Sequence, residues 1–173
     1  MEKKDFLDIA KIINTHGVGG ELKLECWCDT PDVLKKIKFL RLDGTERAVE
    51  RARVIAGGFV LVKLEGINDL NEAMKHKNKI LSANRSYIPK KEGSHFICDM
   101  IGLSVIDANT GKVYGTLEDV QKFTVQEIYY IKTESGTVMM PNVPEYVKEI
   151  DEEKGIFITP IKGFFDGEIE NAI

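Results

Sequence analysis

The residues best suited to chemistry in this chain stand apart from one another. His16, His76 and His95 occur singly, none at ligand spacing from another histidine, and there is no His-Glu-x-x-His run. A zinc site needs four converging ligands. Cys26-Trp27-Cys28 sets two thiols on one face of a strand, because strand side chains alternate. Cys98 joins them only if the two halves of the chain pack together in a particular way. Small buried residues are the plainer reading of all three. Asp151-Glu152-Glu153 reads as a solvated turn rather than an acid–base pair, and no nucleophile-elbow sequence is present. Ser-His-Asp or Cys-His groupings assemble in space and are not legible here. The expectation is therefore no catalytic residue, no metal site and no cofactor.

His16-Gly17-Val18-Gly19-Gly20 is the one glycine-rich loop that could cradle an anion. It lacks the Lys-Ser/Thr of a P-loop. An alternating strand follows it rather than a helix, so no helix N-terminus faces the anion. The spacing fits a kinked hairpin that displays His16, Glu21 and Lys23 at its rim. Its glycines either only permit the bend or form part of a contact surface.

The elements that must hold these residues read mostly as strands. Glu21-Leu22-Lys23-Leu24-Glu25-Cys26 alternates as a half-buried strand should. Phe6 to Ile13 is an apolar-rich run before the glycine loop. Asp43-Gly44 and Gly57-Gly58 punctuate further strands, the last of them Phe59 to Leu64. Asp69 caps one convincing helix, in which Leu70, Ala73 and Met74 recur at helical spacing. Ser82 to Ser94 is polar and reads as a connection. Beyond it, Gly102–Ile106 and Lys112–Leu117 form a hairpin, Glu127–Lys132 and Thr137–Met140 another, and Ile156–Ile158 a last short strand. Many short strands with regular turns predict an all-β chain of two small β-barrels. The expected boundaries are 1–88 for the first barrel, 89–96 for the linker, 97–167 for the second barrel and 168–173 for a frayed tail.

Size and charge bound what such a chain can do. With 173 residues, 43% of them apolar, a conventional core is available; about 70% of the unfolded chain's surface can be buried at this size. No apolar run reaches the ~18 residues that span a bilayer. No hydrophobic signal segment follows Met1, and three cysteines without framework spacing do not make a disulfide scaffold. The expected compartment is the cytoplasm. The net charge of −4 conceals an asymmetry. Residues 1–91 carry 18 Lys/Arg and 13 Asp/Glu, whereas residues 92–173 carry 6 and 15. A basic half can approach a phosphate backbone, and an acidic half favours a basic protein surface; simple solubility is the plainer reading of the same numbers.

Thr15-His16-Gly17, then Gly20-Glu21-Leu22-Lys23, is similar to the N-terminal signature of the RimM family of bacterial ribosome maturation factors. Gly66-Ile67-Asn68-Asp69 followed by Glu72-Ala73 resembles the stretch before its helix. Asp99-Met100-Ile101-Gly102 resembles the opening of its second domain, a PRC barrel, and Met140-Pro141-Asn142-Val143-Pro144-Glu145-Tyr146 its closing portion. The order is kept over about residues 5–165. Two departures stand out: Gly19 occupies a position where many members are basic, and His95 and Phe96 replace a pair of tyrosines.

The resemblance implies a ribosome assembly factor rather than an enzyme. It implies binding to the free small (30S) ribosomal subunit, and help in maturing its head and processing 16S ribosomal RNA. The implied partners are the small-subunit head protein numbered nineteen and nearby rRNA. The residues it singles out are His95 and Phe96 for the protein partner, and His16, Gly17, Gly20, Glu21 and Lys23 for the RNA- or ribosome-facing side. Phe96 serves either as an interface anchor or as packing between the domains. No membrane partner is expected, and nothing demands a dimer, so a monomer is the expected state. The alternative function is a PRC-barrel adaptor with a non-ribosomal partner.

Overall fold

A computed structural model describes residues 3–165, and the chain divides into two compact units between Lys91 and Glu92. The expected tail, 168–173, lies outside the described residues.

The first unit comprises β1 (Phe6–His16), β2 (Glu21–Cys26), α1 (Asp32–Lys36), β3 (Phe39–Leu42), β4 (Thr45–Val54), β5 (Val60–Leu64), α2 (Leu70–Met74) and β6 (Ile80–Asn84). Its strands close a barrel in the order β1-β2-β5-β4-β3-β6, with β6 returning to pair with β1. The alternation of β2 sends Leu22 and Leu24 inward to full burial, where they face Val62 and Val60 of β5. Leu40, Leu42, Leu64, Leu81 and Ala83 complete the same interior. Asp69 caps α2 by accepting the Glu72 N–H at 2.8 Å. Asp43 and Gly44 both take positive φ and make the tight β3–β4 turn.

Strand β6 runs through part of the segment that reads as a polar connection from Ser82. Closing a barrel asks only alternate residues to face inward. Leu81 and Ala83 supply them, while Ser82 between them and Asn84 after them stay partly exposed.

The second unit comprises α3 (Ile97–Met100), β7 (Ser104–Asp107), β8 (Val113–Lys122), β9 (Glu127–Thr133), β10 (Gly136–Pro141), β11 (Val147–Asp151) and β12 (Gly155–Ile158). They form one six-stranded sheet, ordered β10-β9-β8-β7-β12-β11. Both expected hairpins are present as β7–β8 and β9–β10. Strands β7 and β12 pair in parallel, a long-range contact that hairpin signals do not reveal. Val105, Leu117, Tyr129, Ile131, Met140 and Ile156 are buried in a single cluster, with Val147 and Ile150 of β11 packed against it. All six strands thus line one core in the manner of a barrel. The hydrogen-bonded ladder stays open between β10 and β11 among the described residues. Also among them, no helix is long and apolar enough to cross a membrane.

Candidate functional site

The glycine loop sits at the β1–β2 turn, where His16 pairs with Glu21. Gly17 (φ +63°) has open space where a side chain would be. Gly20 (φ +82°) does not: a Cβ there would stand 2.8 Å from the Ile67 carbonyl carbon and 3.0 Å from the Asp69 nitrogen. Gly20 therefore docks the hairpin against the loop before α2, through a backbone approach that only glycine permits. His16 and Gly19 are exposed, and Val18 at the tip is 82% exposed. The loop presents these three residues outward, while Gly20 faces in.

Glu21 does not point free from the rim. Its carboxylate, 13% exposed, lies 3.4 Å from the Arg51 guanidinium and 3.4 Å from that of Arg53. An anion so placed organises two cations. Lys23 holds its ammonium 4.4 Å over the Phe59 ring. In register, Lys23 faces Leu61 of β5, and Leu61 faces Arg53 of β4. The outer face of β2-β5-β4 thus carries Lys23, Arg53 and Arg51 beside the His16 loop, with both arginine side chains more than half exposed.

Lys63 lies on the same face but is committed elsewhere. It donates to the Ile67 carbonyl and to Asn68 Oδ1 (2.9 Å), and is 14% exposed. It fastens the loop against which Gly20 packs. Arg51 and Arg53 are further functional candidates, and their one signal in the sequence is a spacing of two within a strand, which puts both on one face.

In the second unit, His95 and Phe96 do not form a protruding pair. His95 Nδ1 lies 2.8 Å from Glu152 Oε1, and both side chains are largely covered. Phe96 is half-buried at the N-terminal boundary of α3, and its carbonyl accepts the Asp99 N–H at 2.9 Å. This contact ties the segment before α3 to the β11–β12 turn. The acidic run at that turn has divided duties. Asp151 Oδ1 accepts the N–H groups of Glu153 (2.9 Å) and Lys154 (3.0 Å), while Glu152 reaches His95. Those backbone bonds, then Lys154, hold the Asp151 carboxyl below the usual carboxylate range. Among the described residues no three His, Cys, Asp or Glu side chains are grouped to hold a metal ion.

The two units align with two successive family models. Residues 7–87 match the RimM N-terminal domain, and residues 97–161 match the RimM PRC barrel domain. This chain belongs to the RimM family. A relative named ribosome maturation factor RimM, from Clostridium botulinum strain Hall, is 37% identical over 161 residues, 92% of this chain and 96% of its own. A second protein of that name, from Clostridioides difficile strain 630, is 34% identical over 171 residues, 95% of this chain and 99% of its own. A solved RimM structure from Pseudomonas aeruginosa is 24% identical over 91% of this chain and 98% of its own, with a TM-score of 0.44.

Proposed function

We propose that this chain is a ribosome maturation factor that binds the free small (30S) ribosomal subunit in the cytoplasm. It assists assembly of the subunit head and processing of 16S rRNA, and it works by binding, with no catalytic step. The reading is carried by membership of the RimM family across both units, with relatives of matching length named for ribosome maturation. The charge split supports a division of labour: 18 Lys/Arg against 13 Asp/Glu up to residue 91, then 6 against 15. The first unit lies beside rRNA through Lys23, Arg51 and Arg53 next to the His16 loop. The acidic second unit receives the basic head protein numbered nineteen, with the segment at His95 and Phe96 held in place by Glu152. A factor of this kind shifts assembly only by preferring the immature state, so it leaves when the mature surface forms.

Salt dependence tests the RNA side. Each phosphate contact contributes about 0.7 to 0.9 to the slope of log affinity against log salt. Three contacts predict roughly a twenty- to fortyfold loss of affinity for a 16S head-domain fragment between about 50 and about 200 mM salt. Replacing both arginines, Arg51→Ala with Arg53→Ala, should flatten that slope by about 1.5. Binding that is indifferent to salt, or a slope unchanged in the double variant, overturns this placement of the RNA.

A further inference from the structure

The pair Cys26 and Cys28 is untouched by the proposed function, and its geometry is not that of inert core thiols. Strand β2 ends at Cys26 and the chain bends over 28–30. Neither sulfur is in a disulfide, and both residues are partly rather than fully buried, where residue type alone predicts small buried side chains. The bend turns Cys28 back, so that its backbone N–H donates to Cys26 Sγ at 3.4 Å. Cys28 Sγ contacts the Ile9 carbonyl at 3.8 Å, and Cys26 Sγ contacts the Thr30 carbonyl at 3.8 Å. Bonds to sulfur at that range are weak and cheaply exchanged.

We infer that Cys26 and Cys28 form a redox-modifiable dithiol, with Cys26 as the attacking sulfur, Cys28 as the resolving one, and a hydroperoxide as oxidant. Two features suit Cys26 to the first role. It is only partly buried, and the Cys28 backbone N–H donates to its sulfur at 3.4 Å. The neighbouring Cys28 side chain, opposed by burial and helped by that N–H, brings the Cys26 pKa down from 9.0 to about 7. Low pKa, access and an adjacent resolving thiol are what peroxide-sensing cysteines share.

The chemistry closes without another reactant. The Cys26 thiolate attacks one peroxide oxygen, the O–O bond breaks, and hydroxide or alkoxide leaves and takes a proton. Cys26 is now a sulfenic acid. The Cys28 sulfur then attacks Cys26 Sγ, the S–S bond forms, the S–O bond breaks, and the hydroxyl leaves with the Cys28 proton as water. Two thiols lose two electrons and one hydroperoxide gains them.

The full-length chain treated with hydrogen peroxide tests this by peptide mass spectrometry. The peptide spanning Cys26 and Cys28 should lose two hydrogens, resist alkylation, and regain both thiols under a thiol reductant. Trp27, the only tryptophan of the chain, sits between the sulfurs, so its fluorescence should change and recover in step. Cys98→Ser should leave the reaction intact. Cys28→Ala should stop it at a dimedone-reactive Cys26, and should slow Cys26 alkylation at pH 7 by up to roughly sixfold: thiolate fraction is lost, part of it offset by higher intrinsic nucleophilicity. Three results overturn the assignment: two alkylatable thiols after peroxide in the wild-type chain, a disulfide that requires Cys98, or sulfenic acid arising as fast at Cys28 in Cys26→Ala. The wild-type measurement stands even if a variant fails to fold.

Discussion

Replacing Gly20 with alanine separates a structural glycine from a contact glycine within one loop. Gly20 has φ +82°, and a left-handed backbone costs an L-residue roughly 1–2 kcal/mol. The added Cβ would also stand 2.8 Å from the Ile67 carbonyl carbon, so that backbone must retreat. The Ile67 carbonyl accepts from the Lys63 ammonium, which Asn68 also holds. Disturbing a hydrogen bond to a charged group adds about 1.5–3 kcal/mol. The expected loss is about 3 kcal/mol or more for Gly20→Ala. Gly17, at φ +63° with nothing within 4 Å of its missing Cβ, faces only the backbone cost. Gly17→Ala should therefore lose about 1–2 kcal/mol. Urea denaturation followed by Trp27 fluorescence reads the first unit selectively, since that unit holds the only tryptophan. The Gly20→Ala midpoint should fall about 1 M below that of Gly17→Ala for an ordinary urea dependence. Coincident midpoints would refute the idea that Gly20 docks the hairpin.

Three further outcomes follow from the same contacts. Glu21→Gln should cost the first unit about 1 kcal/mol or less while leaving RNA affinity unchanged or higher, since it frees Arg51 and Arg53; a severalfold loss in a filter-binding assay, with the fold intact, would contradict this. A double-mutant cycle of His95→Ala and Glu152→Gln should show a coupling of about 0.5–3 kcal/mol in the unfolding of the second unit; strict additivity would mean that the pair does not clamp the segment. Tyr114 donates to Asp107 at 2.7 Å, and this bond, followed by the Asn109 and Thr110 N–H groups, lowers the Asp107 pKa. A carboxylate depressed in the folded state contributes stability that is full above its unfolded pKa of about 3.9 and is lost as pH falls through the folded value. The acid limb of stability, measured by urea titrations at falling pH, should therefore be shallower in Tyr114→Phe than in the wild-type chain.

Legibility in the sequence depended on the range of the contact. The alternation of β2, the Asp69 cap and the hairpins around Asn109 and Ser135 are set by neighbours in the chain, and all are present. Closure of the first barrel by β6, and the parallel pairing of β7 with β12, are set by residues far apart in sequence, and periodicity does not encode them. The site followed the same rule. His16 and Gly17 occupy the displayed loop that their types suggest. Gly20 and Glu21, from the same motif, turn inward, to the Ile67 carbonyl and to Arg51 and Arg53, partners that only the closed barrel brings near. His95 and Phe96 meet their surroundings through Glu152 and the first turn of α3, so their half-buried state could not be read from residue type.

The central claim, recognition of the immature small subunit, is tested most directly by co-sedimentation. The full chain is spun with purified free small subunits and, separately, with fully assembled ribosomes, at low and at moderate salt. Selective retention on free small subunits, weakening as salt rises, is the result that this account predicts. Equal retention on assembled ribosomes, or none on free small subunits at either salt, would contradict it and favour a partner away from the ribosome.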